Sequence, residues 1–319
     1  MAQNIVINAA INYIMTKQKY LIAVVGPTAI GKTVLSIKLA NHFNTEILSA
    51  DSRQFFKEMQ IGTAAPTPEE LSKAKHHFIH HKSITDNYSV GAFENDAIAL
   101  LNNLFKTKDI VVLVGGSGLY VDAVVQGLDD FPKVDTSIRE TLNNTLKKDG
   151  LEKLQEQLKS VDLTSYNTIA IDNPHRVIRA LEISLGTGKP YSSFLNRKKN
   201  NRNFNTIYIG LTADREIIYN RINKRVDIMV EEGLIDEAKT LHPQKILNAL
   251  NTVGYKELFK FFEGDWTLDF AISEIKKNTR RFAKRQLTWY RKKPNIHWFD
   301  FETKPEIIFQ KIEHIFSNK

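Results

Sequence analysis

Gly26-Pro27-Thr28-Ala29-Ile30-Gly31-Lys32-Thr33 stands between an apolar, β-branched run, Tyr20 to Val25, and a segment, Thr33 to Phe43, in which Leu35, Leu39 and Phe43 recur at helical spacing. Strand, glycine loop and helix in that order, with the spacing G-x-x-x-x-G-K-[ST], form the pattern of a phosphate-binding loop (P-loop). Backbone N–H groups of the glycine turn and of the helix N-terminus converge on an anion, and Lys32 neutralises its charge. The Thr33 hydroxyl offers a hard oxygen ligand for Mg2+. The octet Gly26 to Thr33 is therefore expected to bind a diphosphate.

Such a loop does not say that the diphosphate belongs to ATP. A nucleotide hydrolase supplies a metal-binding carboxylate at the end of a second apolar strand, whereas the run Ile110 to Val114 ends in Gly115-Gly116-Ser117-Gly118. Glu46 to Ala50 reads as another buried strand, and Asp51 follows it directly. In a parallel sheet that position lies at the carboxyl ends of the strands, beside the phosphate loop. Ile207 to Leu211 reads as a fourth strand, with Asp214 placed to cap the next helix, and Ile296 to Phe301 as a late strand. Short apolar strands alternating with helices predict an α/β fold: a P-loop parallel-sheet core with helices on both faces.

The pattern changes between the third and fourth strands. Thr136 to Lys148 and Leu151 to Ser160 read as amphipathic helices, and Pro174 to Leu185 as another behind Asp172-Asn173. The expected organisation is an N-terminal extension over residues 1–18, a core over 19–127 and 206–319, and a mainly helical insertion domain over 128–205. Met15 stands as a second candidate for the start of translation. Residues 196–203 form a polar, basic loop returning to the sheet. The absence of cysteine excludes disulfides and thiolate metal sites, no apolar run reaches the length of a membrane span, and the N-terminus lacks signal-peptide features. A cytoplasmic protein is expected. Forty-four Lys and Arg against 36 Asp and Glu make polyanions plausible partners, so where the cations cluster decides more than their total.

Beyond the octet, the chain carries Ser49-Ala50-Asp51-Ser52-Arg53-Gln54, Ile61 to Pro66, Gly115 to Tyr120 and Asn173-Pro174-His175-Arg176-Val177-Ile178-Arg179-Ala180-Leu181-Glu182. Arg225 to Met229, Val253 to Glu257 and Lys284-Arg285-Gln286-Leu287-Thr288-Trp289-Tyr290-Arg291 follow. In this order, across roughly residues 20 to 300, the chain resembles the tRNA dimethylallyltransferases, also called tRNA isopentenyltransferases. It departs from them at Ala65, where the family has Lys, and at Ser117, where it has Thr.

The resemblance implies attack by the N6 amine of an adenosine, at position 37 beside the anticodon, on C1 of dimethylallyl diphosphate, with pyrophosphate leaving. An exocyclic aromatic amine is a poor nucleophile, so a carboxylate that accepts its proton helps; Asp51 is the candidate base. The loop amides, Lys32, Mg2+ on Thr33, and Arg225 would stabilise the leaving charge. The resemblance also places Thr28 and Ser117 in the reaction channel. It assigns RNA contacts to Asp51, Ser52, Arg53, Gln54 and Ser117, to His175 through Arg179, and to Lys284, Arg285, Gln286, Thr288, Trp289 and Arg291. A stacked adenine cannot reach a buried phosphate site, so the base is expected to turn out of the loop. The insertion would clamp the anticodon stem, and its basic return loop would meet phosphates. The expected partners are the tRNA anticodon stem-loop and dimethylallyl diphosphate, with the protein a monomer.

Lys276 to Lys293 contains nine Lys or Arg and no Asp or Glu. On a helix, Phe282, Leu287 and Trp289 can face inward while Arg280, Lys284 and Arg291 project. A solvated basic face is the competing reading. His76-His77 and His80-His81 tempt a zinc assignment, but adjacent residues of an extended segment point to opposite faces and no cysteine accompanies them. They read as a strand or loop edge. Rival functions are an isopentenyltransferase acting on free adenine nucleotides, a small-molecule P-loop kinase, and a non-catalytic RNA-binding module.

Overall fold

Tyr20–Val25 is strand β1, and every one of its residues is buried. A strand covered on both faces needs apolar side chains at successive positions, which is why this run does not alternate. In the computed structural model, which describes residues 18–195 and 202–317, β1 is joined by β2 (Ile47–Ser49), β3 (His76–His77), β4 (Ile110–Val114), β5 (Asn205–Thr212) and β6 (Ile296–Asp300). They form a six-stranded sheet in the order β3-β2-β4-β1-β5-β6. Each neighbouring pair is parallel, with Ile22 of β1 opposite Val112 of β4 and Ile207 of β5. All the strand ends that carry function therefore point the same way.

The backbone contacts divide the chain into two units, one of residues up to Val125 and from Arg202 onward, the other Gln126–Asn201. The first carries helices α1 (Lys32–His42), α2 (Pro68–Lys73), α3 (Val90–Leu104) and α4 (Gly118–Gln126). The second carries α5 (Thr136–Val161), α6 (Leu163–Thr168) and α7 (Pro174–Thr187). The chain then continues in the first with α8 (Arg215–Glu231), α9 (Leu234–Leu241), α10 (Tyr255–Phe262), α11 (Leu268–Arg291) and α12 (Pro305–Ser317).

On one face of the sheet, Ile22 and Val24 pack with Leu35 and Leu39 of α1, Ile218 and Ile222 of α8, and Ile308 and Ile312 of α12. On the other, Leu21, Ala23 and Val25 pack with Phe93, Ala97 and Leu101 of α3, Val121 and Val124 of α4, and Tyr290 of α11. Each buried Val, Leu, Ile or Phe among them contributes about 1.5–3 kcal/mol, so the sheet is a rigid base for the loops at its carboxyl end. A third cluster joins Val226, Leu234, Tyr255, Phe259 and Ile275 to Phe56 and Met59, fixing α8 to α11 against the segment after β2.

In the second unit, α5 breaks at Gly150, whose φ of 82° no helix accommodates, so the two expected segments appear on either side of it. Leu142, Leu154 and Leu158 pack there against Val177, Ile178 and Leu181 of α7. This revises the expectation for two side chains: Val177 and Ile178 are core residues of this unit, 0% and 3% exposed, packed among its own helices. Asn173 caps α7 through the His175 N–H, as its start signal implied. Asp214 occupies the cap position of α8, but its side chain makes no capping bond. The expected extension, apart from Gln18, and residues 196–201 of the basic loop lie outside the described residues. Arg202 of that loop turns inward, pairing with Glu94 at 2.6 Å and donating to the Ala123 carbonyl.

Candidate active site

Gly26 leaves β1 with φ 143°, and a Cβ there would lie 2.5 Å from the Leu211 carbonyl oxygen of β5. Only glycine satisfies both the conformation and the approach. Gly31 then opens α1 with φ 106° and no side-chain cap, leaving the first N–H groups of the helix facing the loop. Lys32 folds back so that Nζ donates to the Pro27 carbonyl at 2.7 Å. Burial pushes its ammonium down to about 8; the charge of Asp51 opposes that shift and Arg225 adds to it. Arg225, reaching from α8, donates to Thr28 Oγ1 at 3.2 Å, and Arg221 one turn earlier donates to the Ala29 carbonyl at 2.8 Å. Among the described residues the Thr33 hydroxyl carries no hydrogen bond. A hard oxygen at a helix N-terminus fits Mg2+.

β2 delivers the carboxylate. The Ala50 N–H donates to the Val114 carbonyl of β4, and the chain turns so that Asp51 Oδ1 accepts the Arg53 N–H at 3.2 Å. Ser52 Oγ lies 3.4 Å from Ser117 Oγ, which brings the turn after β4 against the turn after β2. Burial lowers the pKa of both Lys32 and Arg225, and Asp51 is close enough to each to oppose that shift. Four strand-end or helix positions, Thr28, Asp51, Ser117 and Arg225, thus share one cavity of about 790 Å³. Leu119, Ile222, Val226, Met229, Phe282 and Trp289 add apolar surface to its lining. A charged end and an apolar body suit an amphipathic ligand such as a prenyl diphosphate.

Arg53, Arg285 and Gln286 also line this cavity, but two of the three are committed to the protein. The Arg53 guanidinium donates to the carbonyls of Asn248 at 3.0 Å and Ala249 at 2.8 Å, and lies 3.5 Å from that of Asn251. Gln286 Oε1 accepts the Thr28 N–H at 2.8 Å. Gln54 likewise spends its amide on the carbonyls of Thr63 and Ala64, holding the turn that contains Ala65. His175 and Arg176 are exposed on α7, while Arg179 pairs with Glu182 at 2.8 Å and lies over the Phe131 ring.

The orientation of α11 differs from expectation. Ala283, Gln286 and Tyr290 form its buried face, Leu287 is partly buried, and Phe282 and Trp289 are 38% and 40% exposed on the cavity wall. The Trp289 indole N–H is fixed by Asp122 Oδ2 at 3.0 Å. Carboxylates engage Lys276, Lys277 and Lys293, through Asp227, Glu274 and Asp122, and Arg280 donates to Asn223 rather than projecting freely. Lys284, Arg285 and Arg291 remain exposed without a carboxylate partner among the described residues, and Thr288 is exposed between them.

Two features escaped the sequence reading. Glu237 accepts the backbone N–H groups of Gln60, Ile61 and Gly62 and the Tyr255 hydroxyl, pinning the turn before Ala65 to α9 and α10. The segment Asn251–Gly254, with Glu257 capping Gly254 and accepting from Asn278, forms part of the cavity wall. A glutamate that binds three amides distant in sequence leaves no local signature, whereas the Val253 to Glu257 run was visible as a motif without a role. His76 and His77 form the edge strand β3, where His77 bonds Glu46 at 2.6 Å, and beyond it His81, pushed down to about 4 by burial, sits edge-on to Phe55 and Tyr88. Among the described residues no three potential ligands converge on a metal position, and no helix is long and apolar enough to cross a membrane.

The chain is similar to known proteins over nearly its whole length. It is 64% identical to a tRNA dimethylallyltransferase of Christiangramia forsetii, covering 92% of this chain and 97% of that one. It is 59% identical to one of Flavobacterium johnsoniae, over 94% and 99%. Among solved structures, a tRNA isopentenylpyrophosphate transferase from Bacillus halodurans aligns with a TM-score of 0.69 at 39% identity, over 95% and 96% of the two chains. A eukaryotic dimethylallyltransferase acting on tRNA aligns with a TM-score of 0.75 at 26% identity, over 89% of this chain and 74% of that one. The family model described as IPP transferase matches residues 54–293, a span running from the turn after Asp51 to the end of the basic helix, and the chain belongs to that family.

Proposed function

We propose that the protein transfers the dimethylallyl group of dimethylallyl diphosphate to N6 of adenosine 37 of tRNA, giving N6-dimethylallyladenosine and pyrophosphate. The observation that carries this reading is the one cavity that Thr28, Asp51, Ser117 and Arg225 share, with Lys32 electrostatically coupled to Asp51 and Arg225 and with apolar side chains in the same lining. The diphosphate sits on the amides of the 26–33 loop, against Lys32 and Arg225. The five-carbon chain lies along the apolar wall, away from water that would capture a developing allylic cation. Asp51 accepts a hydrogen bond and then a proton from N6 as the N6–C1 bond forms. The C1–O bond breaks with its electron pair passing to pyrophosphate, whose charge Lys32 and Arg225 stabilise. Thr33 Oγ1 would hold Mg2+, which would add charge neutralisation at the diphosphate.

The acceptor reaches Asp51 only if the adenine leaves its stack, so the protein needs an RNA surface outside the cavity. Lys284, Arg285 and Arg291 supply exposed cations for the anticodon stem-loop phosphates on the first unit, and His175 and Arg176 do so on the second. The working species is a monomer. Incubating the protein with radiolabelled dimethylallyl diphosphate and, separately, unmodified tRNA, AMP or ATP tests the reading. Label is expected on tRNA alone; label on AMP or ATP in its place would overturn the assignment of acceptor.

A further inference from the structure

The helix that presents cations outward carries on its buried face a side chain aimed at the glycine loop. Gln286 is 6% exposed, and its Oε1 accepts the N–H of Thr28, a residue 258 positions away. The orientation of the amide follows from its partner, because a backbone N–H can be met only by the oxygen. At the other end of the amide, a Cβ on Gly116 would lie 2.2 Å from Nε2. The turn after β4 is thus shaped around this glutamine. Thr28 in turn offers its hydroxyl oxygen to Arg225.

The loop has reason to need such a hold. Ala29 has φ 62°, a left-handed conformation that is uncommon outside glycine, so neighbouring contacts must select it. Gln286 fastens the residue before it, and Arg221 fastens its carbonyl. An anion cradle whose amides already point inward binds without first ordering the loop.

We infer that Gln286 is a positioning residue for the diphosphate, acting through Thr28, and not an RNA contact. The inference rests on the proposed function only in taking the 26–33 loop as the diphosphate cradle. Gln286 is 6% exposed and its Oε1 is taken by the Thr28 N–H, so what little of it reaches the cavity is committed to the loop. Its neighbours Arg285 and Thr288 are exposed.

The test uses the full chain with Gln286→Leu and Gln286→Glu, inorganic pyrophosphate with Mg2+ as the anion probe, and an anticodon stem-loop as the RNA probe. Gln286→Leu removes the acceptor, and loss of one hydrogen bond of this kind is expected to weaken pyrophosphate binding and raise the KM for dimethylallyl diphosphate by about tenfold. Stem-loop affinity and its salt dependence should match wild type. Gln286→Glu keeps an acceptor for Thr28 but sets a negative charge beside the anion; pyrophosphate should again bind more weakly and RNA unchanged, which settles the matter if the leucine variant does not fold. Loss of stem-loop affinity with pyrophosphate binding intact would make Gln286 an RNA contact, and wild-type values for both ligands would make it an inert buried residue; either overturns the inference. Lys32→Ala, measured in parallel, separates this from failure of the cradle reading itself: if it too binds pyrophosphate normally, the anion site lies elsewhere.

Discussion

The Lys32 ammonium lies 2.7 Å from the carbonyl oxygen of Pro27, folded over the loop whose charge it is placed to complete. Burial lowers its pKa to about 8, with Asp51 opposing and Arg225 assisting the shift. Below about pH 8 the side chain is charged and holds the diphosphate; above it the charge is lost in the free enzyme. The kcat/KM for the donor should therefore fall as pH rises through about 8, and Lys32→Arg, slower overall, should show no such limb. The sign for stability is opposite. The folded pKa lies below lysine's ordinary value of 10.5, so the unfolded chain binds more protons between the two, and this group's contribution to stability rises with pH there. A melting temperature that dropped in step with activity would refute the assignment.

Among the described residues the Asp51 carboxylate accepts a backbone N–H, that of Arg53, and no side-chain donor. Asp51→Asn keeps the shape and loses the ability to take a proton. Turnover at saturation should fall by roughly a hundredfold or more, with stem-loop affinity retained. A loss confined to KM would make Asp51 a binding residue.

Lys284, Arg285 and Arg291 are exposed without carboxylate partners among the described residues, unlike Lys276, Lys277 and Lys293 on the same stretch. Changing those three to Ala should weaken tRNA binding and lower the slope of log affinity against log salt by roughly two to three, one counterion or slightly less per phosphate contact. Pyrophosphate affinity should be unaffected. A stable triple variant with the wild-type slope would show a merely solvated face.

Arg53 ties the turn after β2 to the carbonyls of Asn248 and Ala249. Arg53→Lys keeps the charge but cannot span those acceptors. Amide hydrogen exchange over residues 247–254 should quicken in the RNA-free protein, and kcat should fall while the salt slope of tRNA binding stays the same. A slope lowered by about one with exchange unchanged would place Arg53 on an RNA phosphate instead.

Much of this site is readable in sequence where chemistry is local. The octet Gly26 to Thr33 is contiguous, and its glycines, lysine and threonine each have a reason for their spacing. Asp51 is findable because a strand end in a parallel sheet has a known neighbourhood. The facing of α11 is not, because the helix is apolar on two sides: Ala283 and Tyr290 meet the core while Phe282 and Trp289 line a cavity, and periodicity cannot rank one apolar stripe above another. Val177 and Ile178 were drawn toward RNA by a motif that mixes exposed and core positions of one helix. Arg53, Gln54 and Gln286 read as polar residues of the RNA site, and their bonds to protein groups distant in sequence leave no local sign.

The bond between Thr28 and Gln286 also sets a time of assembly. Synthesis at about 5–20 residues per second separates the two ends of that bond by roughly ten to fifty seconds. Until α11 has been made, Thr28 has no acceptor from Gln286, Trp289 is missing from the cavity, and Ala29 lacks part of what holds its backbone in place. A truncated product ending before that helix would carry the whole glycine motif and Asp51 yet have an unfinished cavity. The enzyme becomes competent late, as the growing chain returns to its own beginning.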